Sequence, residues 1–152
     1  MERSIQIEKQ NKSSQNHIYA VCSGAKAVGK TWLTATVCHN LGLLKKKVLF
    51  FDADCGIENI SRQLDIKQCI AYNRLFNGSQ TLNNSVFHFE TGKFDVVCSF
   101  PGEDRFDDAP LGRAQLLAGD LAYFSKSYDY VFIDCADEAG KTITIKIWPS
   151  FG

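Results

Sequence analysis

Apolar residues gather in short continuous runs separated by helical periodicity, rather than alternating along the chain. His17-Ile18-Tyr19-Ala20-Val21-Cys22-Ser23 is a β-favouring run, and Lys47-Val48-Leu49-Phe50-Phe51-Asp52-Ala53-Asp54 is a second. Phe94-Asp95-Val96-Val97-Cys98 and Tyr128-Asp129-Tyr130-Val131-Phe132-Ile133-Asp134 are two more. Runs without a polar face suit parallel strands covered on both sides. Trp32 to Leu44 reads as a helix, with Leu33, Val37, Leu41 and Leu44 on one stripe and Ala35 and Cys38 beside it. Pro110 opens another helix, whose stripe is Leu111, Ala114, Leu117, Leu121 and Phe124.

Ile70 to Phe76 predicts a short helix stopped by Asn77-Gly78. Ser85 to Glu90 predicts a short edge strand that turns through Thr91-Gly92-Lys93. The order βαβαβαβ implies an α/β fold of three layers, α/β/α, around a parallel sheet.

Both ends of the chain differ from this centre. Residues 1–16, rich in Gln, Asn, Ser and Lys, read as a flexible tail; the alternating Ile5 and Ile7 leave a partner-binding segment as the alternative. Residues 17–140 read as one incomplete domain, and 141–152 as an atypical segment in which Ile143, Ile145 and Ile147 alternate with polar residues as in a half-buried strand. Seven residues between Asp134 and Thr142 are too few for a parallel crossover, so any strand there is antiparallel.

Composition adds limits. At 152 residues, 45% hydrophobic and 22% charged, the chain suits a single soluble domain. Its 17 basic side chains equal its 17 acidic ones, so no whole-chain field supports nucleic-acid binding. Six scattered cysteines without a C-x-x-C pair, and no apolar run long enough for a bilayer, point to a reduced cytoplasmic setting. Cys22, Cys38 and Cys98, inside apolar segments, read as small core residues, and neither an iron–sulfur nor a zinc site is expected.

Gly24-Ala25-Lys26-Ala27-Val28-Gly29-Lys30-Thr31 fits the phosphate-loop pattern G-x-x-x-x-G-K-[ST] at every fixed position. In such a loop backbone N–H groups turn inward around phosphate oxygens, the lysine reaches the β- and γ-phosphates, and the threonine hydroxyl can hold Mg²⁺. The strand before it and the helix after it supply the required context. Two apolar strands end in acid, one at Asp52 and Asp54 and the other at Asp134, where parallel strands open onto a ligand crevice. A helix cap or turn is the plain alternative for each aspartate, and for Asp52 an indirect role stands level with direct contact. The polar loops Cys55-Gly56-Ile57-Glu58-Asn59 and Phe100 to Asp108 follow strand ends on the same side.

With these motifs in this order, the chain resembles the MinD/ParA family of P-loop ATPases, nearest its flagellar-number regulator and MinD-like branch. The resemblance covers about residues 17–140 and implies the N-terminal portion of a parallel-sheet P-loop NTPase, with ATP and Mg²⁺ as ligands. It implies a nucleotide-contacting run of Gly24, Ala25, Lys26, Ala27, Val28, Gly29, Lys30, Thr31 and Trp32. Metal-binding positions would be Thr31, Asp134 and Asp52, and catalytic positions Asp54, orienting the attacking water, and Lys26. It further implies an ATP-dependent homodimer and a regulatory protein partner.

The chain departs from the family pattern twice. The family's signature lysine directly follows the first glycine, where this chain has Ala25; the neighbouring Lys26 either supplies the charge from a shifted position or points to solvent. Residues 141–152 do not look like the family, whose members run on by roughly a hundred residues and, in one branch, end in a membrane-binding helix that is not seen here. The expectation is a truncated or frame-shifted product whose first strand exposes an apolar edge. Two further readings stay open. One is a non-catalytic nucleotide-binding or interaction fragment, and the other an ATP-dependent ligase of the dethiobiotin synthetase type.

Overall fold

A computed structural model describes residues 17–23, 28–54, 56, 59–70, 72–100 and 111–135. The expected tail at 1–16, the first half of the phosphate loop at 24–27 (Lys26 included), the polar loop with Pro110 and the segment 141–152 lie outside the described residues. The strands are β1 (His17–Val21), β2 (Val48–Asp52), β3 (Phe87–Phe89), β4 (Phe94–Val97) and β5 (Tyr130–Asp134). The helices are α1 (Lys30–Leu43), α2 (Ile60–Gln63), α3 (Tyr72–Phe76) and α4 (Leu111–Phe124).

The strands form one sheet in the order β1-β5-β2-β4-β3. β1, β5, β2 and β4 run parallel, as their continuous apolar character predicts. All five residues of β2 are buried. Leu49 and Phe51 pack toward α3 and α4 with Leu117 and Leu121, while Val48 and Phe50 join Ala35 and Cys38 of α1 on the opposite face. The pleat thus divides one strand between two cores.

At the far edge the parallel expectation gives way. β3 pairs antiparallel with β4 because only residues 90–93 separate them, room for a hairpin and not for a crossover. The strand is also shorter than the predicted Ser85–Glu90, since Asn83–Ser85 closes into a 3₁₀ turn. α3 is shorter than the predicted Ile70–Phe76, since Ile70 pairs with Ser99 in a parallel bridge instead, while Gly78 stands just beyond its end at φ +76°. Ala114, Leu117 and Leu121 of α4 are buried as the stripe predicts, with Phe124 packed against them.

Helix α1 corrects the sequence reading. Leu33 and Leu44 are 62% and 70% exposed, and Val37 also faces outward; the buried face is Thr34, Ala35 and Cys38, with Leu41 partly covered. Small residues win because the helix lies close to its neighbours. A Cβ added at Gly42 would stand 2.1 Å from the Lys93 carbonyl oxygen. His39 Nδ1 meets the Gly92 carbonyl at 2.8 Å, fastening α1 to the β3–β4 turn. Cys22 is a second correction: it is exposed, following β1, which among the described residues is an edge strand paired on one side only. Cys38 and Cys98 are buried as expected.

Candidate functional site

Register alone assembles the mouth of the site. Val21 of β1 and Asp52 of β2 each pair with Asp134 of β5, so three strand ends lie in one row with the phosphate-loop strand beside both acids. The ladder continues one step further. Ala53 N–H donates to the Asp134 carbonyl at 2.8 Å, and Cys135 N–H to that of Val21 at 3.0 Å.

From β1 the chain reaches Gly29, at φ +85°, a left-handed conformation that glycine adopts without penalty. α1 begins at the next residue, and its first turn closes with Leu33 N–H donating to the Gly29 carbonyl at 2.9 Å. Lys30 and Thr31 therefore sit in the first turn, where free N–H groups and the helix dipole favour an anion. The Thr31 hydroxyl donates to Asp134 Oδ2, joining the loop helix to the end of β5 across 103 positions of sequence. Trp32 and Val28 are exposed.

Asp52 is fully buried and works on the backbone. Its Oδ1 accepts from Asp54 N–H and its Oδ2 from Ile60 N–H, both at 2.9 Å, so one carboxylate holds both ends of the loop after β2. The Tyr72 hydroxyl donates to the Asp52 carbonyl from α3. Asp54 is half-buried, and its Oδ1 accepts from Gly56 N–H at 2.9 Å.

Burial raises the Asp52 carboxyl well above the ordinary carboxylate range, and the neighbouring Asp134 and Asp54 raise it further, against the two backbone N–H donors. Two buried carboxylates on adjacent strands beside a threonine hydroxyl form a hard-oxygen set that suits Mg²⁺. Thr31 and Asp134 are the residues that would hold it, since both oxygens of Asp52 already serve backbone N–H groups.

Sequence reasoning missed the support behind this loop. Asn59 is buried, caps α2 by accepting from Arg62 N–H at 3.4 Å, and donates from Nδ2 to the Ser99 carbonyl at 3.0 Å. Ser61 Oγ donates to Asn59 Oδ1 at 2.7 Å. The signal available in the sequence was a side-chain cap, Asn immediately before the apolar Ile60. Gly29, Lys30, Thr31, Asp52, Asp54 and Asp134 are gathered at the same end of the sheet; Gly24, Ala25, Lys26 and Ala27 lie outside the described residues.

No family model matches the chain. It is 30% identical over 122 residues to the septum site-determining protein MinD of Synechocystis, covering 79% of this chain and 45% of that protein. The chain thus spans a little under half the length of that relative. Among solved structures, MinD of Pyrococcus horikoshii complexed with Mg-ADP superposes with a TM-score of 0.72 at 21% identity, over 88% of this chain and 54% of that one. The kinase domain of the Escherichia coli tyrosine kinase ETK gives 0.71 at 21% identity, over 89% and 52%. At such identities the two structures speak to the fold, a P-loop NTPase sheet matched over its N-terminal portion. Together with the MinD sequence match and the ordered motifs, they make the chain similar to the MinD/ParA family of P-loop ATPases over its N-terminal portion.

Proposed function

We propose that this chain binds Mg-ATP at the row of strand ends formed by Val21, Asp134 and Asp52 and serves as a nucleotide-dependent switch in cellular positioning or partition, flagellar regulation included. The observation that carries the reading is the hydrogen bond from Thr31 to Asp134, which brings the last residue of the phosphate loop to the acidic end of β5. In this reading Lys30 and the N–H groups of the first turn of α1 meet the β- and γ-phosphates, with Gly29 to Trp32 along the nucleotide. Thr31 and Asp134 hold Mg²⁺, which offsets phosphate charge when bound. Asp52 acts from behind, keeping the loop shaped so that Asp54 faces the γ-phosphate and orients water.

Lys26 is the proposed charge donor to a partner's nucleotide, and two copies of the chain pair across their ATP molecules in the cytoplasm, where a regulatory protein reads the paired state. ATP over GTP rests on the family resemblance. The test measures Mg-ATP affinity and phosphate release for the wild type and for Lys30→Ala, Asp54→Ala and Lys26→Ala. Turnover that disappears in Asp54→Ala and Lys26→Ala, with binding retained, supports the switch. Binding lost in Lys30→Ala with no turnover in any form turns the reading to a non-catalytic binder, and a wild type without nucleotide affinity overturns both.

A further inference from the structure

We propose that Cys69 and Cys98 are a redox modification site, a dithiol that a hydroperoxide closes into a disulfide, tying the connector between α2 and α3 to the end of β4. The two Sγ atoms are 3.8 Å apart, so they are already in contact. Backbone geometry makes the contact productive. Ile70 and Ser99 form a parallel bridge, and Ile70 N–H donates to the Cys98 carbonyl at 3.0 Å. Cys69 and Cys98 each precede one partner of that bridge and so stand opposite one another, about one strand spacing of ~4.8 Å apart, within the separation a disulfide spans. Side chains at matched parallel positions leave the same face.

The two thiols are unequal. Cys69 is half-buried, which leaves it open to a small oxidant, while Cys98 is buried. Its Sγ lies 3.6 Å from the Ile66 carbonyl, and that of Cys98 3.9 Å from the Gln68 carbonyl. Burial and then the neighbouring Cys69 push the Cys98 thiol far up, so Cys98 suits the second step and not the first. In the first step the Cys69 thiolate attacks one peroxide oxygen; the O–O bond breaks, the departing alkoxide or hydroxide takes up the proton the thiol released and leaves as alcohol or water, and Cys69 becomes a sulfenic acid. Cys98 sulfur then attacks Cys69 sulfur, the S–O bond breaks, and the departing hydroxide takes the Cys98 proton as water. The sulfur pair loses two electrons and the peroxide gains two.

Its reach is local and does not depend on nucleotide. The Ser99 carbonyl, next to Cys98, accepts from Asn59, the cap of α2, so fixing Cys98 to Cys69 ties both ends of the Asn59–Ile70 segment to one strand end. That restricts local opening.

The test treats the full chain with hydrogen peroxide, blocks remaining thiols by alkylation and digests with trypsin, which leaves the six cysteines in six separate peptides. The expected product links the peptide of residues 68–74 to that of 94–105, two hydrogens lighter than their sum and separated again by a dithiol reductant. Closing the loop between the two cysteines raises Tm by roughly 5–10 °C, and Cys69→Ser shows neither the link nor the rise. Oxidation of exposed Cys22 while Cys69 and Cys98 stay alkylatable overturns the proposal, as does a link from either to another cysteine. Should Cys69→Ser fail to fold, the wild-type peptide map decides alone.

Discussion

The two ends of the sheet treat their polar groups in opposite ways. Away from the strand ends that form the site, they are paired and near the surface: Asp129 Oδ2 accepts from Lys47 N–H at 2.8 Å, and Asp95 accepts from Tyr128 at 2.9 Å while its other oxygen meets His88 at 2.6 Å. At the site, Asp52 and Asp134 are fully buried on neighbouring strands, and the Ser99 hydroxyl is buried without a partner among the described residues. One end is stapled and the other gathers carboxyl groups in a low-dielectric setting, where ionisation is costly and a cation can relieve the cost. The contrast separates variants that unfold the protein from variants that silence it.

The heaviest effect is expected at the stapled end, where Gly42→Ala must force α1 away from the Lys93 carbonyl. Its cost is about 2–4 kcal/mol, read as a Tm loss on the order of 10 °C, with the ligand affinity of the folded fraction unchanged. Lys30→Ala inverts the pattern: Mg-ATP affinity drops about 100-fold by calorimetry, while the ligand-free Tm moves by less than ~2 °C.

Asp52→Asn probes the buried charge through pH. Because the folded-state pKa of Asp52 is raised, its stabilising contribution is present at low pH and is lost as pH rises through that raised value. The wild type should therefore gain on Asp52→Asn as pH falls from neutral toward ~4, in denaturant titrations, and Mg-ATP should flatten the difference. A difference independent of pH would show that Asp52 acts only as a backbone acceptor. The smallest change belongs to Asp95→Asn, at most ~1 kcal/mol, with the largest share lost through the Tyr128 bond and no effect on ligand affinity.

What the sequence disclosed follows from where each signal resides. β2 and β5 were readable because strands buried on both faces carry continuous apolar runs, and their acidic ends fell where parallel register put them in a row. The facing of α1 was misread because the large residues Leu33, Val37 and Leu44 suggested a stripe, whereas close approach at Gly42 selects Thr34, Ala35 and Cys38. The task of Asp52 was hidden because its partner Ile60 N–H stands eight positions away along the chain. Asn59 with Ser99, and Cys69 with Cys98, meet only through topology, across 40 and 29 positions. No local pattern encodes such meetings.

The pairing of β1 also sets a timetable. Among the described residues its partner is β5, and His17 faces Tyr130, a separation of 130 − 17 = 113 positions. Of the described strands, the one that leads into the phosphate loop is made before the others, yet its described partner, Tyr130–Asp134, is made after them all. Among the described elements, the earliest-made strand of the candidate site is therefore seated only when the last-made one arrives.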